Sequence, residues 1–196
     1  MTVARGTNAE QYIELVKLFM PDFHRVACAA TEDEFCEAVG QAVRHSLQML
    51  EDRRKALTGA NEVALSTDLA DLLTRGGLPT AAEAHANGHV DLVINHFEVG
   101  RYRMLGECKL DRGPQYHCEG TTQVLGYCCG SEKRALCIGF CEKPDVEGRM
   151  VDARLHFDNE AECHFVVETR DHDLPWSFLG AHRHSSGLNS TAKCNT

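Results

Sequence analysis

Glu107-Cys108-Lys109 closes a strand-like run, RYRMLGECKL at residues 101–110, and fifteen residues separate Glu107 from Asp91 in the preceding Gly88-His89-Val90-Asp91. Successive side chains on a strand point to opposite faces. Glu107 and Lys109 therefore set an acid and a base side by side, while Cys108 gives that face little except its backbone carbonyl. An antiparallel hairpin of residues 89–97 and 101–110, closed by Glu98-Val99-Gly100, lays residues whose numbers sum to 198 opposite one another, so that Asp91 faces Glu107. Directly opposed residues on one face have Cβ atoms about 4.5–5.5 Å apart. Two carboxylates held that close repel unless a cation sits between them, and a divalent metal is the natural occupant.

Several elements must position this pair. Residues 61–75 repeat apolar side chains with helical period through Val63, Leu65, Leu69, Leu72 and Leu73. Gly76-Gly77 supplies the residue type that left-handed helix ends favour, so Glu62 is expected in the first turn of a helix. Pro114 opens a second helix, with Tyr116, Gly120, Gln123 and Tyr127 on one stripe. Gly120 and Gly126 suggest that it approaches the sheet closely. A short strand is expected over residues 80–85 and another over residues 134–141.

Upstream, the stripe Tyr12, Leu15, Val16 and Phe19 predicts a short docking helix that Pro21 terminates. Thr31-Glu32-Asp33-Glu34 has capping-box spacing, and Phe35, Val39, Val43, Leu47 and Leu50 carry a long helix to about residue 57, where Thr58-Gly59 breaks it. Downstream, residues 150–157 and 162–169 alternate like a second hairpin around Asp158-Asn159. Beyond Trp176 the chain turns polar, and residues 181–196 read as a flexible tail. The expected organisation is one α/β domain over residues 1–180, with a core at about 60–141, N-terminal helices at 9–57 and extra strands at 150–169.

No apolar run approaches the roughly 18 residues of a membrane span. The first residues lack the charged-then-apolar order of a secretory leader, so the expectation is a cytoplasmic protein whose ten cysteines are buried free thiols rather than a disulfide scaffold. A net charge of −9 works against gripping nucleic acid by charge alone, because affinity there comes chiefly from Lys and Arg at phosphates.

Glu62 opening a helix, Gly88-x-x-Asp91 on a strand, Glu107-x-Lys109 on the next and Gln123-x-x-x-Tyr127 on a helix together resemble the PD-(D/E)XK nuclease superfamily. The GxxD, ExK and QxxxY elements are similar to those of its RecB-like branch, and the resemblance covers roughly residues 60 to 141. It departs from the pattern in having no Pro before Asp91; Pro21-Asp22 is a decoy in the wrong place. The resemblance implies a restriction-endonuclease-like αβββαβ core, a mixed sheet flanked by helices, here with an N-terminal helical extension and a C-terminal β-hairpin. It implies that Asp91, Glu107 and the Cys108 backbone carbonyl hold a metal, with Glu62 reaching it directly or through water. Oxygen donors suit Mg²⁺ or Mn²⁺. Lys109 matches the position that orients the attacking water and offsets charge developing on phosphate. Gln123 and Tyr127 match the motif that contacts the site and the nucleic-acid backbone.

The implied activity is metal-dependent phosphodiester hydrolysis, in DNA ahead of RNA, in restriction, repair or antiviral defence. Two alternatives stay open: a catalytically silent nuclease-like fold kept as a binding or assembly module, and an RNA-cleaving nuclease that a partner activates. Because the chain is acidic, substrate engagement is expected to draw on Arg101, Arg103, Lys109 and Arg112 and on self-association or a protein partner. Bland readings compete for each residue: a first-turn acid on the helix dipole for Glu62, with Glu51 as a substitute, and simple packing for Tyr127. An iron–sulfur cluster drawing on Cys28 and on Cys118, Cys128, Cys129, Cys137, Cys141 or Cys163 has no C-x-x-C pair to support it. A zinc site of His85, His89 and His96 is disfavoured because His96 points away from His89 and Asp91 on a strand.

Overall fold

The computed structural model describes residues 8–85, 89–142, 144–159, 166–183 and 191–195. Thr31 starts the largest helix as its spacing predicts: its hydroxyl accepts from Glu34 N at 3.2 Å, while the Glu34 carboxylate reaches back to Ala30 N at 2.8 Å. Before it lie α1 (Asn8–Phe19) and α2 (Pro21–Ala27), then α3 itself (Glu32–Asp52). Pro21 does not merely stop α1 but opens α2 at its first turn, where its missing N–H costs nothing. Although α1 forms, none of its residues is buried, and Tyr12, Leu15, Leu18 and Phe19 are left at the surface. The long helix expected to about residue 57 breaks at Arg53, leaving a separate turn, α4 (Arg54–Leu57). Then comes α5 (Glu62–Arg75), capped by the Asn61 side chain accepting from Ala64 N at 2.8 Å.

After α5 the order is β1 (Thr80–His85), β2 (His89–Asn95), β3 (Arg103–Leu110), α6 (Pro114–Tyr127) and β4 (Arg134–Phe140). The chain continues through α7 (Val146–Asn159), β5 (Val166–Asp171), β6 (Phe178–Arg183) and β7 (Thr191–Asn195). The result is an α/β architecture: one mixed sheet, ordered β1-β2-β3-β4-β7-β6-β5, flanked by helices. β1, β2 and β3 are antiparallel neighbours, while β3–β4 and β4–β7 pair in parallel.

Residue parity divides the two faces, as the pleat requires, except at Val90, which clusters with Val93 on the α6 side. Leu92, Ile94, Met104, Cys108, Leu136 and Ile138 meet α2, α3 and α5 through Val26, Phe35, Val39, Leu69 and Leu73 in the main core. Val93, Leu105, Ala135 and Cys137 face the other way, against Val124, Leu125 and Cys128 of α6. A third cluster joins Cys118 of α6 and Ala153 and Phe157 of α7 to Phe178 of β6.

Three expectations fail downstream of β4. The strand expected over residues 150–157 is the body of α7, because Ala153 and Phe157, four apart, are buried with Met150 packed beside them, whereas Val151 and Leu155 are exposed. A C-terminal hairpin does exist, but it is formed by β5 and β6; residues 162–165 of the expected strand lie outside the described residues. Finally, part of the stretch read as a tail is sheet: β6 runs to Arg183, and β7 pairs with β4 on one side and β6 on the other. Main-chain hydrogen bonds on both edges hold a polar strand whose composition gives no sign of it. Among the described residues no helix is long and apolar enough to cross a membrane.

Candidate functional site

The β2–β3 register places Leu92 opposite Gly106, Val93 opposite Leu105 and Ile94 opposite Met104, the sum-of-198 pairing expected from sequence. Asp91 and Glu107 are next in that register, and there the ladder stops. Instead of a backbone carbonyl, the Asp91 carboxylate accepts from Cys108 N at 2.7 Å. One step further along the same edge, Glu62 Oε2 accepts from Leu110 N at 2.8 Å. Two carboxylates thus satisfy alternate donors of β3 where its pairing with β2 has stopped, which fixes both at the C-terminal end of β3. A strand residue presents its N–H and C=O to the same side, so the Cys108 carbonyl faces the Asp91 side as well.

Glu107 is 1% exposed and Lys109 8%, and both lie on the α6 face. Lys109 Nζ donates to Glu107 Oε1 at 2.6 Å and to Gln123 Oε1 at 3.2 Å, and stands 3.6 Å from Glu62 Oε1. Gln123 Nε2 in turn donates to the Tyr127 hydroxyl at 2.9 Å. The six side chains assigned to the catalytic and metal site from sequence are therefore brought into one constellation: Glu62, Asp91, Glu107, Lys109, Gln123 and Tyr127. Gly88 of the GxxD pattern lies outside the described residues.

Gly120 explains how α6 comes near enough. A Cβ there would stand 2.8 Å from Lys109 Cγ and 3.2 Å from Cys137 Sγ, so only glycine leaves room for the lysine stem between helix and strand. Gly126 does not share this role, since a Cβ there would meet open space.

Electrostatically the site is under-neutralised. Burial pushes the Glu107 carboxyl up to about 7 against the lowering hydrogen bond from Lys109, with the nearby Asp91 charge adding to the rise. Burial also raises Asp91, more than its hydrogen bond from Cys108 N and the Lys109 charge lower it. For Lys109 burial works downward, but the hydrogen bond to Glu107 and the charges of Glu107 and Glu62 carry it to about 12, so it remains an ammonium. Glu107 Oε2 is buried with no hydrogen-bond partner. A buried carboxylate oxygen left without a donor is costly, and a cation is what it lacks.

The donor set fits a hard divalent ion: carboxylates at Asp91, Glu107 and Glu62, and the Cys108 carbonyl. Among the described residues no three His, Cys, Asp or Glu side chains already converge as a metal cage, and the cation among these carboxylates is the Lys109 ammonium.

Two parts of the site were not anticipated. Tyr116, on the Gln123 stripe, has its hydroxyl 3.5 Å from Glu62 Oε2 and its ring between Lys109 Nζ and the Arg112 guanidinium, at 5.6 and 5.1 Å. Asp111, just past β3, takes an ion pair from Arg149 of α7, a hydrogen bond from Gly113 N at 3.1 Å and His117 Nε2 at 3.4 Å. This cluster ties α7 and the start of α6 to the end of β3 beside a cavity of about 330 Å³. Burial holds the His117 pKa down even with Asp111 alongside. Sequence reasoning missed Arg149 because it falls just before the stretch read as strand, in residues assigned to no element, whereas the structure has it in α7.

Some expectations need correction. Arg101 and Arg103 do not serve the site. They sit at the other end of β3, Arg101 with Glu98 and the Ala30 carbonyl, Arg103 with Glu132 and Cys129. The cysteines are not uniformly free: Cys118 is disulfide-bonded, while Cys36, Cys108, Cys128 and Cys137 are buried free thiols and Cys28 lies exposed near His24. Cys163 lies outside the described residues. His96 is buried against Phe35 and Tyr102, and His89 lies near Glu83; the His85 side chain lies outside the described residues.

No family model, no curated protein and no solved structure matches the chain.

Proposed function

We propose that the chain is a metal-dependent nuclease of the PD-(D/E)XK kind, hydrolysing phosphodiester bonds in DNA in preference to RNA, with residues 60 to 141 as its restriction-endonuclease-like core. The order α5-β1-β2-β3-α6-β4 supports this. The observation that carries it is Glu107: a carboxylate 1% exposed, with one oxygen on Lys109 and the other unpartnered, next in register to Asp91.

In this reading Asp91, Glu107 and the Cys108 carbonyl hold Mg²⁺ or Mn²⁺, with Glu62 completing the oxygen set. Bound there, the ion supplies Lewis acidity and lowers the pKa of water. Lys109, fixed between Glu107 and Gln123, keeps its ammonium charge and offers it to a phosphate oxygen as negative charge develops. Tyr127 orients the Gln123 amide, and Gln123 holds the lysine. Asp91 and Glu62 are themselves held by the backbone donors of Cys108 and Leu110, so the donors arrive pre-positioned.

A second reading, a silent nuclease-like binding module, is favoured by one observation. Asp91 and Glu62 already satisfy β3 donors, a structural task that needs no metal. One assay separates the two: plasmid, linear duplex, single-stranded DNA and RNA, each with Mg²⁺, Mn²⁺ or EDTA. The nuclease reading expects cleavage with either metal and none in EDTA. Intact substrates throughout leave the module as the better reading.

A further inference from the structure

An acidic chain that handles a polyanion must hold its cations apart from its own carboxylates, and the ion pairs show where it does so. Lys17, Arg25, Arg54, Arg75, Arg101, Arg103, Lys109, Lys133, Arg134, Arg149 and Arg154 each pair with an acid. Among the described side chains the Lys and Arg left without an acidic partner are Arg44, Arg53, Lys55, Arg112 and Arg170. Arg44 lies over the Trp176 ring, and Arg170 is on the edge strand β5, three strands from β4. The other three gather at one place.

That place is the rim of the candidate site. Arg54 donates to the Glu142 carbonyl just past β4, which holds α4 near the C-terminal end of β4, and Leu57 packs against the main core. Asp111 N donates to Phe140 O at 2.8 Å, so Arg112 leaves the sheet at the same end. Five residues after Leu57, Glu62 reaches Leu110 N. Arg53 and Lys55 on α4 and Arg112 past β3 are all exposed and flank the end of β3 that holds Lys109. Arg54 takes up Glu51, and the acids at this end with no ion pair among the described residues are Asp52 and Glu142 near α4 and Asp145 and Asp152 along the cavity beside Asp111. Three of the five cations without an acidic partner among the described residues are thus left open at this edge, whereas eleven others sit on a carboxylate.

We propose that Arg53, Lys55 and Arg112 bind the phosphodiester backbone of one nucleic-acid strand, leading it across Tyr116 to the carboxylates. The proposal rests on the nuclease reading for its substrate. Phosphate neutralisation releases counterions, so each contact adds to the salt dependence of binding, about 0.7 per phosphate on a single strand.

The test titrates a labelled single-stranded oligonucleotide into the full chain in EDTA over a range of salt, alongside a cleavage assay of the same strand in Mg²⁺. Arg53→Ala with Lys55→Ala should weaken binding about tenfold and lower the salt slope by about 1.4. Arg112→Ala should lower it by about 0.7. Arg170→Ala is the control and should change neither. Because these side chains are exposed and unpaired, melting temperatures should be unmoved. Unchanged affinity and slope in the double variant, or no binding by the wild type, overturns the rim. Rim-dependent binding with no cleavage in Mg²⁺ would keep the rim and remove the nuclease reading. Cleavage with rim-independent binding would do the opposite.

Discussion

An acid–base pair with a buried carboxylate stands at each end of β3, and the two pairs have opposite characters. At its N-terminal end Arg103 pairs with Glu132, whose side chain is 0% exposed, and Cys129 N donates to the second Glu132 oxygen at 2.8 Å. Burial works to raise Glu132, but Arg103 and Cys129 N outweigh it and hold the carboxyl below its ordinary value. At the C-terminal end Lys109 pairs with Glu107, whose second oxygen has no donor, and the carboxyl is pushed up to about 7. Both carboxylates are desolvated and both touch a cation. The difference is completeness: Glu132 has a donor for each oxygen and no second acid nearby, whereas Glu107 lacks a donor and stands beside Asp91. The first arrangement is finished structure, and the second is an anionic site with capacity left over.

The largest way to break this contrast is to truncate each end. Asp91→Ala, Glu107→Ala and Lys109→Ala should each lower cleavage by about a thousandfold or more while the protein stays folded, and double variants should be hardly worse than singles because the three act as a unit. Glu132→Ala should do the reverse, lowering stability by about 2 kcal/mol, since Arg103 and Cys129 N lose their acceptor, with cleavage per folded molecule near wild type. Denaturant melts and single-turnover cleavage of all four read this out. Full activity in any of the three site variants sinks the assignment.

Next in size is the lysine's seat. Gly120→Ala puts a methyl against Lys109 Cγ and displaces Nζ from Glu107 and Gln123. A misplacement of about an ångström near the chemistry costs on the order of a hundredfold in rate, while overpacking costs about 1–3 kcal/mol of stability. The same change at Gly126, which faces open space, should leave cleavage untouched. Equal loss in both variants would mean that a helix-wide effect, not the Lys109 contact, was being measured.

How much of this was legible in the sequence depends on what carried the information. The β2–β3 register came from side-chain alternation and a three-residue turn, both local, and it held over the four pairs from Leu92–Gly106 to Asn95–Arg103, with the ladder ending before Asp91 and Glu107. Glu62 came from a helix boundary, also local. Alternation misled at α7: Val151, Ala153, Leu155 and Phe157 read as the apolar face of a strand, but the helix uses only Ala153 and Phe157 of these, together with Met150, and leaves the others exposed. The Asp111–Arg149 pair was missed because Arg149, one residue before that stretch, was assigned to no element. Arg103 was credited to the site because parity fixes the face of a strand but not which end of it matters. β7 was invisible because its place rests on backbone hydrogen bonding to β4 and β6, which polar composition does not report.

The contrast also has a pH signature. Glu107 binds its proton more tightly folded than unfolded, so between about 4.5 and about 7 the folded state carries the extra proton and stability falls as pH rises through that window. Glu132 has the opposite sign: its contribution is complete above the unfolded value and is lost only as pH falls through its depressed one. Buried His182, pushed down to about 4, and His117 and His172, also lowered by burial, give the opposite slope over part of this range, so the readout is the difference between wild type and Glu107→Gln. In EDTA that difference in stability should decline from pH 5 to pH 8 by up to about 2–3 kcal/mol, and Mg²⁺ should oppose the decline. A difference that stays flat with pH would mean that Glu107 is already neutralised by Lys109, making the two ends of β3 alike.

The smallest effect tests the outermost link. The Tyr127 hydroxyl accepts from Gln123 Nε2, and Gln123 Oε1 accepts from Lys109 Nζ, so in this account Tyr127 is a positioning residue that acts through two hydrogen bonds. Gln123 is exposed, and water can replace much of what the hydroxyl supplies. A neutral hydrogen bond is worth about 0.5–1.5 kcal/mol, so Tyr127→Phe should cost only about threefold, and the loss should fall on kcat because lysine orientation matters most as charge develops. Direct contact between Tyr127 and the nucleic-acid backbone predicts the other split, a raised KM with kcat preserved. Gln123→Ala distinguishes them again: if Tyr127 works through Gln123, removing the hydroxyl from a Gln123→Ala background should change nothing further. Additive losses in the double variant would place Tyr127 on the substrate rather than behind the lysine, and the site would then extend past Gln123 along α6.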